Sequence, residues 1–419
     1  MAVEVHQEDV VRPTPEDNTA SGAATTEGMY FSTSLKCWIV EGYAEAVAAM
    51  RETALEIPRL ALPTEGLGEG ERTALQGLWE QAQHLPLYST GRAHQRLRRH
   101  LRAPFTRDAV VDWRGLTREI ARELMEERLA VGRVEVVSEI GSPLVRWVMA
   151  DVIGIPVSKR ADFERWTEAT TRVGSLATPH WSGDVAAEAA EAAECIHELV
   201  RDVLANPNEV CAGSLLGRAA HGPGPGEHSG LSVAELAANA RSLYTAGVQT
   251  TIFLIASAAC LIFNDEDLVR RVREDARTVK AMVQETLRFA CPAVEVNVRR
   301  AGRDVTIGAH HILRGQFVRI VALRANRDSR RFRDPDVFNY RRGDRGKALA
   351  FGTGPHVCLG NHLATAVTEE ICAVLAEPRY DARTISPYPQ FRRRAAAPVM
   401  WGPEWVHLGL GTAHSKTVG

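Results

Sequence analysis

Apolar positions recur at helical spacing over residues 109–131, 136–153, 158–172 and 185–205, with little strand-like alternation between them. A further helix is expected from Ser232 to about Phe263. Its start is marked by Ser232 with Glu235 three residues on, the spacing of a capping box. Shorter helical patterns cover 43–54, an amphipathic piece at 75–83, and 359–377. Strand signals are few: a run at 36–40, and alternation through Val305, Ile307, Phe317, Val318 and Ile320. The pattern predicts a mainly α protein with small β-sheets in one large domain, residues 29–419. Residues 1–28, acidic and rich in Ser and Thr, read as a loose tail. The stretches 63–90 and 174–183 interrupt this pattern, and Gly222-Pro-Gly-Pro-Gly226 reads as a connector.

Composition narrows the class. The 419 residues are 45% hydrophobic and 24% charged, ordinary for a globular chain with a substantial core. A net charge of −2 and a pI near 6.7 argue against nucleic acid as a partner. Seven cysteines without paired spacing suit a reducing compartment and offer neither a thioredoxin motif nor a zinc ribbon. The longest apolar run, 251–263, is shorter than the roughly 20 residues that span a bilayer, and no basic-then-apolar leader opens the chain. The expectation is a cytoplasmic protein that does not enter a membrane.

Candidate chemistry concentrates at Phe351-Gly-Thr-Gly-Pro-His-Val-Cys-Leu-Gly360. Two glycines and a proline predict an irregular loop running into a helix. Cys358 then sits beside a helix N-terminus, where free N–H groups and the dipole favour a thiolate. The G-x-G within the loop lacks the third glycine of a dinucleotide-binding turn. The ten residues resemble the F-x-x-G-x-H-x-C-x-G loop of cytochromes P450, in which the cysteine thiolate is the axial ligand of haem iron. The resemblance implies the P450 fold, the soluble bacterial type, and haem b (iron protoporphyrin IX). It assigns the metal to Cys358, with Phe351, Gly352, His356 and Gly360 as further cofactor contacts.

Three more motifs follow the family's order. His94 and Arg98, four apart on a helix, resemble the pair that holds haem propionates, although Thr90-Gly-Arg-Ala93 replaces the family's D-P-P-E before them. Arg96, Arg99 and Arg102 would point elsewhere, toward a basic docking surface for an acidic redox partner. Ala246-Gly-Val-Gln-Thr-Thr251 resembles the A-G-x-[DE]-T of the distal helix. There Ala246 and Gly247 give room over the cofactor, Thr250 hydrogen-bonds dioxygen, and Gln249 stands where the family has an acid. Gln249 is either a helix–helix hydrogen bond or a slower proton route. Glu285 and Arg288 match E-x-x-R, with Arg342 as the arginine that completes this structural triad, and Arg299 matches a propionate-binding arginine on a strand. Val248, Val294, Glu295, Val296, Asn297, Ala397, Val399 and Met400 would line a substrate pocket.

The resemblance implies an enzyme that oxidises a small natural-product-like molecule of secondary metabolism by hydroxylation. It would use dioxygen and electrons from a ferredoxin or flavodoxin with its reductase. Oxidative C–C or C–N coupling of aromatic or peptide-like substrates without oxygen insertion remains open. So does a haem-binding sensor or silent relative, which the retained Thr250 and propionate clamps disfavour.

Overall fold

The computed structural model describes residues 28–58, 68–174, 183–222, 230–275, 277–385, 391–394 and 397–411. The expected tail up to residue 27, and residues 63–67, 175–182 and 223–226 of the interrupting stretches, lie outside these residues; the rest of 63–90 is largely helical, with the helix Glu69–Ala82 and the turn Pro86–Tyr88. The described chain is helical with small sheets, and its contacts group into two compact units.

The first unit comprises Met1–Pro58, Thr117–Ser142 and Thr250–Gly419. Its main sheet has five strands in the order Met29–Ser32, Cys37–Val40, Phe317–Ile320, Val296–Ala301, Leu55–Glu56. Only the pairing of Cys37–Val40 with Phe317–Ile320 is parallel. Val40, Val318 and Ile320 are fully buried and pack with Met50, Leu55, Ile312 and Leu349. Each such burial contributes about 1.5–3 kcal/mol, which fixes the sheet's register. The helices Arg277–Phe289 and Asn361–Leu375 pack on each other in the same unit. Ion pairs at 2.8 Å from Arg118 to Glu370 and from Arg122 to Glu377 tie in the helix Ala109–Leu129.

The second unit, Arg59–Leu116 and Pro143–Gln249, has no strand among its described residues. The helix Gly183–Ala205 packs against Arg160–Gly174, Glu69–Ala82 and Leu215–His221. Ser214 caps the last of these by accepting from the Gly217 N–H at 3.0 Å. That short helix had too few periodic positions to stand out in the sequence.

The helix expected from Ser232 is Val233–Phe263, and its capping box is formed. The Ser232 N–H donates to Glu235 Oε2 at 2.8 Å, and the Glu235 N–H donates to Ser232 Oγ at 3.2 Å. By length and composition this 31-residue helix could cross a membrane, so the thirteen-residue run understated its apolar extent. Yet 72% of its most apolar window is buried, as in a core helix. The periodicity at 136–153 resolves into a π-helical turn, Val136–Gly141, followed by the α-helix Ser142–Ile153. Glu135 makes the turn by accepting from the N–H groups of Val137 and Ser138.

Candidate functional site

The cysteine loop is held by its own backbone. The Cys358 N–H donates to the Phe351 carbonyl at 2.8 Å, Gly352 N–H to Leu349 at 2.9 Å, and Val357 N–H to Gly354 at 3.2 Å. Gly354 has φ +77°, and a Cβ there would stand 3.0 Å from the Met50 carbonyl oxygen. Only glycine meets both demands. The helix Asn361–Leu375 follows, with Gly360 at its N-cap. Cys358 is exposed two residues before that cap, while Phe351, Gly352, His356 and Gly360 are partly exposed along the same loop. The other cysteines of the segment differ. Cys260, Cys291 and Cys372 are buried, and burial pushes their thiols up to about 12. Those three are inert thiols in apolar surroundings; Cys358 is set apart in the same unit by exposure and by its place before a helix.

Arg299 lies on the strand Val296–Ala301 with 5% of its surface exposed. Its Nε has no hydrogen-bond partner, and no acid forms an ion pair with it among the described residues. Burial alone pulls its pKa down to about 10. A guanidinium desolvated without an anion is costly, so the position fits a carboxylate brought by something other than the described residues. A haem propionate is such a group, and on this observation the unit suits the cofactor that the resemblance implies.

Glu285, Arg288 and Arg342 are brought together. Glu285 and Arg288 form a doubly hydrogen-bonded pair at 2.7 and 3.0 Å, both side chains fully buried. Arg342 donates from Nε to Glu285 at 2.9 Å. The remaining guanidinium N–H groups donate to carbonyls of Asn326, Pro335 and Val337, and of Arg333, Asp334 and Val337. This network fastens the helix Arg277–Phe289 to the irregular segment that precedes the cysteine loop.

In the other unit, His94 and Arg98 share a face of the helix Gly91–Leu101, which Thr90 does not cap with its side chain. His94 is buried; burial and then the neighbouring Arg98 cation hold its pKa below the usual imidazole value, so it is neutral near pH 7. Arg96 is exposed, as are Arg99 and Arg102, but its charge is opposed by a neighbouring acid. It pairs with Glu235 and so helps fix the start of the long helix.

Around 246–250 the long helix has two kinds of surface. At Gly247 a Cβ would fall 2.6 Å from Cε of Met149, so the end of that flexible side chain would have to shift to admit one. Ala246 and Gln249 are exposed and Thr250 partly so. The Gln249 side chain makes no hydrogen bond among the described residues, so the helix–helix bond considered for it is not formed there. Val248 and Val294 are buried, as is Met400, and Val296 is partly buried. Glu295, expected as a polar handle of the pocket, instead gives both oxygens to Arg319 at 2.6 and 2.9 Å. The side chains of Asn297, Ala397 and Val399 lie outside the described set.

Sequence reasoning passed over Arg241. It is the only charged residue between Glu235 and Asp265, in a stretch otherwise apolar or neutral. That isolation was the available signal.

Known proteins agree with these features. The family model described as Cytochrome P450 matches residues 193–375. The 6-deoxyerythronolide B hydroxylase of Saccharopolyspora erythraea is 30% identical over 332 residues, 78% of this chain and 79% of that protein. The cytochrome P450 monooxygenase PikC of Streptomyces venezuelae is 28% identical over 87% of this chain and 85% of its own. Among solved structures, P450BioI in complex with an acyl carrier protein ligated to hexadec-9Z-enoic acid superposes with a TM-score of 0.77 at 23% identity. That match covers 92% of this chain and 95% of that one, and shows the shared fold. This chain belongs to the cytochrome P450 family.

Proposed function

We propose that this enzyme hydroxylates a small, natural-product-like molecule at haem b held by Cys358. The observation that carries the reading is Cys358 itself: exposed in a loop braced by the Phe351 carbonyl and placed just before a helix start, while Cys260, Cys291 and Cys372 are sealed in the core. Bound haem would supply the redox chemistry, activating dioxygen with electrons from a ferredoxin or flavodoxin and its reductase. The chain's own part is to bind and orient. Arg299 would neutralise a propionate, as would Arg98 with neutral His94 donating beside it, and His356 would lie along the loop. Thr250 would offer its hydroxyl on the distal side, where Ala246 leaves the helix surface low. The bacterial relatives named as hydroxylase and monooxygenase support this outcome, and a cytoplasmic setting suits the buried free thiols.

The test is spectroscopic. Reduced protein with carbon monoxide is expected to show the long-wavelength Soret band of thiolate-ligated haem, and Cys358→Ser to abolish it. A normal band in that variant would move the ligand elsewhere. A second outcome, oxidative coupling, is favoured by one observation: the residue beside Thr250 is Gln249, an amide that cannot deliver a proton as an acid would. Labelled dioxygen separates the two, since only hydroxylation puts the label in product.

A further inference from the structure

Two arginines of this chain carry the same signature. Arg299 and Arg241 are each desolvated so far that the guanidinium pKa falls to about 10, with burial the sole cause and no acid close enough to oppose it. The first is accounted for by the cofactor. The second is not. Arg241 sits on the helix Val233–Phe263, in the unit that also contains Gln249. Among the described residues its guanidinium has no ion pair and no hydrogen bond. No described acid of that unit forms an ion pair with it, and six of them are paired with other arginines. Glu235 pairs with Arg96, Glu164 and Glu168 with Arg146, Asp151 with Arg160, Asp162 with Arg165, and Glu188 with Arg172.

The surroundings of Arg241 are those of a wall. Tyr244 and Val248 are buried on one side of the helix. Arg241, Ser242, Thr245, Ala246 and Gln249 stay partly or fully accessible, and their spacing places them along one continuous strip. Leu243 and Gly247 beside it are partly accessible too, and a line of accessible polar groups on a largely apolar helix is what a ligand-facing surface requires. Thr245 is braced by Thr171 at 3.3 Å, which fixes the middle of the strip. From Arg241 to Gln249 the helix rises about 12 Å, the length of a small elongated molecule.

We propose that Arg241 is a specificity-determining residue that binds a carboxylate of the substrate, the acid lying at one end of the strip and the oxidised end at the other, near Gln249. The substrate class is therefore a free organic acid whose reacting carbon is about 12 Å from its carboxylate. The proposal rests on the P450 reading above for the position of the oxidised end, while the anion contact itself stands on Arg241 alone. Arginine suits the task because its fork matches a carboxylate, and the desolvated setting strengthens the contact.

The experiment uses haem-loaded protein and matched pairs long enough to span the strip: dodecanoic acid with dodecanamide, and tetradecanoic acid with tetradecanamide. Binding is read from the spin-state shift and independently from the rise in melting temperature. At least one acid is expected to bind about tenfold or more tighter than its amide. Arg241→Gln should erase that preference while keeping the carbon monoxide band, and Arg241→Lys should retain part of it. Without ligand, Arg241→Met is expected to melt no lower than the parent, because it removes a charge that nothing described neutralises. Equal binding of acids and amides, including no binding by either, would overturn the proposal, as would a preference that survives Arg241→Gln. Loss of the thiolate band in the parent protein would instead count against the haem reading, so the two failures are distinguishable.

Discussion

Arg288 and Arg342 are buried about as deeply as Arg299, yet the two settings are physically opposite. Around Glu285 the two guanidiniums spend their N–H groups on carboxylate oxygens and on backbone carbonyls. Glu285 also accepts from the Asn339 N–H at 2.9 Å. The network is complete within the protein and needs no visitor. Among the described residues, Arg299 has a buried Nε with nothing to donate to and no acid beside it. A charge whose hydrogen bonds close inside the chain is scaffold; a charge left open after the chain has folded marks where another molecule belongs.

That contrast is breakable at both ends. Glu285→Ala should have the largest effect, because it leaves two buried cations without their shared anion. The expected loss is about 3–5 kcal/mol, seen as a large fall in the urea midpoint of haem-free protein. A midpoint within error of the parent would mean that the carbonyls alone hold both arginines. Arg299→Ala should behave differently. The haem-free variant is expected to melt at or above the parent temperature, while haem retention weakens by about 1–3 kcal/mol, measured as faster transfer of haem to apomyoglobin. A fall in haem-free stability as large as that of the Glu285 variant, with retention unchanged, would make Arg299 scaffold as well.

How much of this was legible in the sequence depended on whether a residue's meaning is local. The helix Val233–Phe263 announced its start because Ser232 and Glu235 satisfy each other within one turn. The loop at 351–360 was legible because its glycines, proline and cysteine lie within ten residues. Glu295 misled because its partner, Arg319, lies 24 residues away across the sheet, and nothing in the local pattern announces that pairing. Gly247 was ambiguous for the same reason: what a side chain there would meet, Met149, lies on another helix. Arg96 read as surface charge until the fold placed Glu235 against it. Arg241 was passed over because a single cation in a long apolar run forms no local motif, and only the fold shows it desolvated without an ion pair among the described residues.

The smallest stability effect, and the most informative chemical one, is expected at Gln249. Its side chain is exposed and unbonded among the described residues, so Gln249→Glu should leave melting within about 0.5 kcal/mol of the parent. The chemistry is another matter. An amide can donate and accept hydrogen bonds but cannot give up a proton, whereas a carboxyl beside Thr250 can exchange one near neutral pH. If proton delivery passes this position, the carboxyl variant should consume dioxygen faster and release less hydrogen peroxide per product, while Thr250→Ala should do the reverse. The comparison with Arg299 applies again: an open polar group is a place where chemistry can be changed without disturbing the fold. Unaltered rate, product and peroxide yield in a well-folded, haem-replete Gln249→Glu protein would show that protons reach the distal side by another path. Oxidative coupling would then lose the one residue that favours it over hydroxylation.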